Sequence, residues 1–190
     1  MKIYNRNNKY NPEIHHRYSS RSQGYDYSQN GAYFITLCTE DRKPLFGKII
    51  NGEMQLSQFG IIARDEWQKT SEMRKNIEMD EFVVMPNHFH GIIIINDLPC
   101  TGTLQRAPTR EQFGKPTSNS IPTIIRGYKA AVTKRINTIR INTGAYNMPE
   151  RIWQRNYYEH VIRNEASLHR IREYIMGNPL NWKDDDYYLA

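Results

Sequence analysis

Residues 77–96 read IEMDEFVVMPNHFHGIIIIN, and their reading decides the fold. Two runs rich in β-branched and apolar residues, 77–86 and 88–96, meet at Pro86-Asn87. Neither has helical spacing, so both read as strands, at the centre of a sheet. Side chains alternate faces along a strand, which puts His88 and His90 on one side, about 7 Å apart. Two imidazoles so placed can share one ion, and the four isoleucines after Gly91 make a rigid strand to hold them. They can equally be hydrogen-bonded histidines on a half-exposed sheet face, and the spacing leaves both readings open. Since no third histidine or cysteine lies at a ligand-like distance, a metal would need an oxygen donor from elsewhere. That donor set suits Mg²⁺ or Mn²⁺ better than a closed structural zinc.

Upstream, 32–39 (AYFITLCT) is a further buried strand. Residues 46–51 and 53–57 form a hairpin turning at Asn51-Gly52, a dipeptide suited to two successive positive φ angles. Across 58–74, Phe59, Ile62, Ala63 and Met73 share a helical stripe with Trp67 at its edge; Glu66 breaks the stripe, as a solvent-reaching carboxylate or a minor site candidate. Downstream, 97–119 carries Pro99, Gly102, Pro108, Gly114 and Pro116 and reads as a long loop. A helix over 120–137 buries Ile121, Ile124, Ile125, Tyr128, Val132 and Ile136 and turns Arg126, Lys129 and Lys134 outward. The last helix starts at the N-cap Asn164, buries Leu168, Ile171 and Ile175, and stops at Pro179. The order of elements predicts an α+β fold: an antiparallel sheet with helices packed on one face. Residues 1–30 read as a polar extension, 31–182 as the one folded domain, and 183–190 as an acidic and aromatic tail.

The chain has 190 residues, too few for the usual barrel enzyme. Its longest apolar run, 91–95, is far short of a membrane span, and the first residues lack the apolar core of a secretory signal. A cytoplasmic location is expected. Cys38 and Cys100 make neither a disulfide framework nor a zinc quartet. Lys+Arg 26 less Asp+Glu 20 leaves +6, and the excess is local. Residues 1–95 hold 12 basic and 11 acidic side chains, whereas 106–172 hold 13 and 4, an excess of +9. Concentrated positive charge with interspersed aromatics suits phosphate backbones and unpaired bases; a solvated basic face is the plainer alternative.

Two further segments carry candidate chemistry. Tyr174 and Asn178 lie four apart, on one helical face beside Ile171 and Ile175. Tyrosine can act as a covalent nucleophile, yet at a pKa near 10 about one phenol in a thousand is ionised at pH 7, a deficit of about 4 kcal/mol, so a nearby cation is needed. An aromatic edge contact for Tyr174 and a C-cap role for Asn178 are the structural alternative. The segment 153–163 (WQRNYYEHVIR) gathers Trp153, Arg155, Tyr157, Tyr158, His160 and Arg163, suited to stacking and phosphate contacts or, for Trp153 above all, to anchoring a loop. Tyr157 and Tyr158 are rival nucleophiles that spacing does not exclude.

Three blocks, MPNHFHGIIII, IIRGYKAAVTKRIN and WQRNYYEHVIRNEASLHRIREYIMGNPLNW, together resemble the single-tyrosine HUH transposases, specifically the branch of REP-associated tyrosine transposases. The likeness covers roughly 30–182 with the blocks in the family's order. It implies a ferredoxin-like fold and a divalent metal held by His88, His90 and, in place of the glutamine of better-known relatives, Asn178. It further implies Tyr174 as the nucleophile that forms a 5′-phosphotyrosine on single-stranded, hairpin-bearing DNA. Arg126, Lys129, Lys134, Arg155 and Arg163 would then grip DNA, with Trp153, Tyr157, Tyr158 and His160 beside them. Relatives occur as homodimers and as monomers. The competing expectation is a domesticated protein that binds structured single-stranded DNA without cutting it. A metal phosphodiesterase needs two His motifs where this chain has one, and relaxases are typically longer and often use two tyrosines.

Overall fold

The computed structural model describes residues 25–96, 119–144 and 148–188. The chain runs β1 (Gly31–Cys38), β2 (Gly47–Ile50), β3 (Glu53–Leu56), α1 (Gln58–Glu72), β4 (Ile77–Val84), β5 (His88–Ile95), α2 (Ile121–Asn142), β6 (Tyr158–Ile162) and α3 (Glu165–Gly177). Four strands pair antiparallel in the order β4-β5-β1-β6, while β2 and β3 form a separate hairpin. The hairpin turns where the sequence places it, with φ of 52° at Asn51 and 80° at Gly52. Leaving the hairpin aside, this is the split β-α-β arrangement of a ferredoxin-like fold: β5 lies between β1 and β4, the two strands that α1 connects.

Register decides which side chains share a face. Ile35 faces Gly91 and Leu37 faces Phe89, so these point one way; Thr36 faces His90 and Cys38 faces His88 on the other side. The first face holds the main core, in which Tyr33, Ile35, Leu37, Phe89 and Ile93 pack under Trp67 of α1 and Tyr128 of α2. Gly91 makes room for it: a Cβ there would stand 2.6 Å from Trp67 Cζ2 and 2.8 Å from Phe89 Cε1. Glycine weakens most strands, but this one lets an indole lie on the sheet. The second face carries a smaller cluster of Phe34, Ile92, Ile162 and Ile175.

Five expectations need correction. The three helices do not share a face: α1 and α2 cover the first, and α3 covers the second through Ile175. Trp67 is fully buried and Met73 is 68% exposed, so the stripe of α1 is centred on the indole. Of the two strands expected at the centre of the sheet, only β5 is central, with β1 as its neighbour; β4 is an edge. Residues 158–162, read as part of a loop, form the other edge strand β6, whose alternation of Tyr158, His160 and Ile162 against Glu159 and Val161 is masked by its polar residues. The boundary at residue 30 also falls inside the packed body. Tyr27 is 4% exposed, and its carbonyl accepts the Ile121 amide that opens α2 (3.0 Å). Residues 1–24, Cys100 and nearly all of the 97–119 loop lie outside the described residues.

Candidate active site

The second face of the sheet brings together groups about ninety residues apart. His88 and His90 leave β5 side by side with ring centroids 4.5 Å apart, at 0% and 1% exposure. Each ring is held by its Nδ1. His88 Nδ1 lies 2.9 Å from Asn87 Oδ1. The Asn87 amide nitrogen already donates to the Tyr187 carbonyl (2.8 Å), so Oδ1 is the acceptor and His88 Nδ1 carries the proton. His88 Nε2 is thereby left with a lone pair, buried and without a hydrogen-bond partner. His90 Nδ1 meets Thr36 Oγ1 at 2.9 Å, from the facing position of β1. Such outer contacts are what fix the orientation of metal-binding imidazoles.

The α3 helix forms where Asn164 caps it, its side chain accepting the Ser167 amide (2.8 Å). The helix lies across the second face and brings its C-terminal turn to the imidazoles. Tyr174 Oη is 3.3 Å from His90 Nε2, and the two rings meet edge to face. Asn178, four residues on, is 3% exposed; its Oδ1 is buried without a hydrogen-bond partner, while its Nδ2 donates to Asp185 Oδ2 (3.0 Å).

Asp185 is the residue that sequence reasoning missed. It falls in the segment read as a tail, which instead returns over His88: the Tyr187 ring lies 4.7 Å from that imidazole, and Asp185 Oδ2 lies 3.9 Å from its Nε2. One ligand atom each from His88, His90 and Asp185 lies within 4.8 Å of the others, so this group could hold a metal ion. The usable signal was the run of three aspartates between aromatics in WKDDDYY soon after α3, together with the unmet need for an oxygen donor.

Electrostatics set two neutral imidazoles beside a carboxylate, an arrangement ready for a cation. Burial pulls both imidazoles down to about 3; the Arg42 guanidinium adds to this at His88, and His88 itself at His90. At neutral pH both rings are uncharged, so the His88–Asp185 contact is not an ion pair. Burial pushes the Tyr174 phenol up to about 12, with the Asp185 carboxylate adding and Asn178 opposing. Without a cation the phenol stays protonated.

The remaining candidates sort by face. Tyr158 (54% exposed) and His160 pair with Thr36 and Phe34, so they flank the imidazole face along the β6 edge, with Tyr158 edge-on to Phe34. Arg163 follows on the surface, and Arg126, Lys134 and Arg155 are exposed. Lys129, Lys134, Arg151 and Arg155 line an open concavity of about 510 Å³ between α2 and residues 151–155. Trp153 does not stack bases: at 4% exposure it packs on Phe46 and Tyr128, because residues 152–154 continue beside the end of β1. Lys129 is committed inward, its Nζ donating to the carbonyls of Gln154 (2.9 Å) and Asn156 (3.0 Å) under the half-buried Tyr157 ring. Glu66 feeds no site; it pairs with Arg135 of α2 (2.6 Å).

No family model matches the chain. An uncharacterized protein of Haemophilus influenzae is 44% identical over 185 residues, covering 95% of this chain and 98% of that one. Among solved structures, the REP-associated tyrosine transposase bound to a REP hairpin superposes with a TM-score of 0.54 at 20% identity, over 86% of this chain and 74% of that one. At that identity the likeness is one of fold.

Proposed function

We propose that this chain, which belongs to one family with the Haemophilus influenzae protein and has the fold of the REP-associated tyrosine transposase, is a metal-dependent transposase that cleaves and rejoins hairpin-bearing single-stranded DNA. The observation that carries this reading is the convergence of a phenol, two neutral imidazoles and a carboxylate, with Tyr174 Oη 3.3 Å from His90 Nε2.

The residues fit a divalent metal by their own unmet chemistry. His88 Nε2 and Asn178 Oδ1 are buried acceptors without hydrogen-bond partners, an arrangement that costs stability unless something completes it. His88, His90, Asp185 and Asn178 would hold the ion, two nitrogens and two oxygens that suit Mg²⁺ or Mn²⁺. Bound there, it would supply the positive charge that eases ionisation of the phenol and stabilises a phosphate in attack.

The chain's own groups do the rest. Tyr174, half exposed, loses its proton to solvent and attacks the scissile phosphorus. The new bond joins Oη to phosphorus while the bond to the upstream 3′ oxygen breaks, and that oxygen leaves as a 3′-hydroxyl once protonated. One phosphodiester replaces another, so a second 3′-hydroxyl can reverse the step without a nucleotide cofactor. Tyr158 and His160 flank the scissile strand at the β6 edge. Lys134, Arg155 and Arg163 track the backbone, and binding weakens steeply with salt. The phenol reaches imidazoles of its own chain, which supports a site complete in one copy.

The test is a labelled hairpin DNA with single-stranded flanks, incubated with Mn²⁺ and run under denaturing conditions. A covalent adduct that vanishes in Tyr174→Phe and His88→Ala is expected. An adduct retained by Tyr174→Phe, or none from any hairpin substrate, overturns the assignment. In the second case, tight salt-sensitive binding indifferent to both substitutions selects the non-cleaving binder.

A further inference from the structure

Asp185 does not reach His88 unaided. Just beyond β1, Asp41 and Arg42 both adopt φ of 54°, a left-handed conformation that side-chain-bearing residues seldom take singly and rarely in succession. Such strain persists only where the surroundings hold it, and it gathers at functional sites. Its result is the placement of one guanidinium. Arg42 lies over the Tyr187 ring, 5.3 Å from the centroid, and its Nη1 donates to the Asp186 carbonyl (3.2 Å). Asn87 Nδ2 donates to the Tyr187 carbonyl (2.8 Å), so residues 186 and 187 are held by two side chains from distant parts of the chain. That grip passes to the carboxylate directly: the Tyr187 amide donates to Asp185 Oδ1 (2.7 Å), and Oδ2 is left facing Asn178 and His88.

We propose that Arg42 is a positioning residue for the metal site: it clamps the 185–187 turn and thereby presents Asp185 Oδ2 to the ion. The inference rests on the reading of Asp185 as a ligand.

Its sign separates it from the obvious alternative. A guanidinium beside a cation site repels the cation, so if Arg42 acted through charge alone, removing it would tighten metal binding. A clamp predicts the opposite, because loss of a contact that orients a ligand typically weakens a metal by 10- to 100-fold. The experiment titrates Mn²⁺ into the full chain without DNA, reading free Mn²⁺ by electron paramagnetic resonance, for wild type, Arg42→Ala, Arg42→Gln, Asp185→Ala and the Arg42→Ala/Asp185→Ala double variant. Circular dichroism melts of the metal-free proteins check that each is folded, and Arg42→Gln, which keeps a donor without the charge, serves if Arg42→Ala is not. The expected result is about 10-fold weaker binding in Arg42→Ala, a smaller loss in Arg42→Gln, and no further loss when Arg42→Ala is added to Asp185→Ala. Unchanged or tighter binding in Arg42→Ala, while Asp185→Ala weakens it, overturns the clamp and leaves the ligand reading standing. Mn²⁺ binding indifferent to Asp185→Ala overturns the ligand reading itself, and the clamp with it.

Discussion

The two faces of the four-stranded sheet are built from the same strands and do different work. On one, Tyr33, Leu37, Phe89, Trp67 and Tyr128 interdigitate under two helices, and Tyr128 Oη finds the Ala63 carbonyl (3.0 Å). On the other, a short apolar cluster holds a single helix, and next to it lie two buried acceptors with nothing to bond. The packed face leaves the indole Nε1 donors of Trp67 and Trp153 without partners among apolar rings, whereas the other leaves two acceptors open beside a nucleophile, where a cation can complete them. Unmet groups that gather around one point are characteristic of functional sites, and here the sheet keeps the two open acceptors on the side that carries Tyr174.

The contrast is broken most severely by emptying the packed face. Trp67→Ala removes a fully buried indole against Phe89 and Tyr128 and is expected to cost about 3–5 kcal/mol in denaturant unfolding, cleavage falling only with the folded fraction. A loss below 1 kcal/mol would mean that this face is not the core. Overfilling comes next. In Gly91→Ala the new methyl meets two rings at 2.6 and 2.8 Å, and a cost of about 1–3 kcal/mol is expected, read the same way. Because Gly91 directly follows His90, this variant also asks whether strain on the packed face crosses the strand; metal affinity in the folded fraction answers that.

How much of this asymmetry was legible in the sequence follows from where its signals are local. Alternation along β5 placed both imidazoles on one side, because strand geometry fixes that within three residues. The Asn51-Gly52 turn and the Asn164 cap were equally visible, each being a backbone requirement met by one or two residues. The four-residue spacing predicted that Tyr174 and Asn178 share a helical face, but nothing local states which side of the sheet a third helix takes. Asp185 was invisible for a related reason: its role depends on a return of the chain over β5, held by Asn87 and Arg42 far away in sequence. β6 escaped because Tyr158 and His160 are polar enough to look like loop. Trp153 was open to two readings, a stacking platform among arginines or a loop anchor, and the anchor favoured for it is what is found, packed on Phe46.

The α3 helix connects the two kinds of surface, held to the sheet by Ile175, its one fully buried residue, by the partly buried Leu168 and Ile171, and by the Arg172–Asp80 pair to β4 (2.8 Å). Losing the cap in Asn164→Ala is expected to cost about 1 kcal/mol of global stability. The cleavage rate should fall by more than the small change in folded fraction explains, because the helix start that aims Tyr174 is loosened. Cleavage that tracks the folded fraction alone would show that the C-terminal turn is held independently of the cap.

The smallest expected effect is the sharpest test. His88→Leu exchanges a fully buried ring, neutral at pH 7, for an apolar side chain of similar bulk. It gives up the bond to Asn87 and removes an unpartnered nitrogen, so the metal-free protein should change by less than about 1 kcal/mol. Added Mn²⁺, expected to raise the wild-type melting temperature by mass action, should leave the variant's unmoved. Acid supplies a second reading on the metal-free protein. With the folded imidazoles at about 3 and an ordinary value of 6.5, the folded state binds fewer protons than the unfolded between those limits. The stability they contribute is complete above pH 6.5 and drains away as pH falls towards 3, and the variant, missing one of the two groups, should lose less on that descent. A loss of 3 kcal/mol at pH 7, or an undiminished acid slope, would make His88 a structural residue and the second face merely another core.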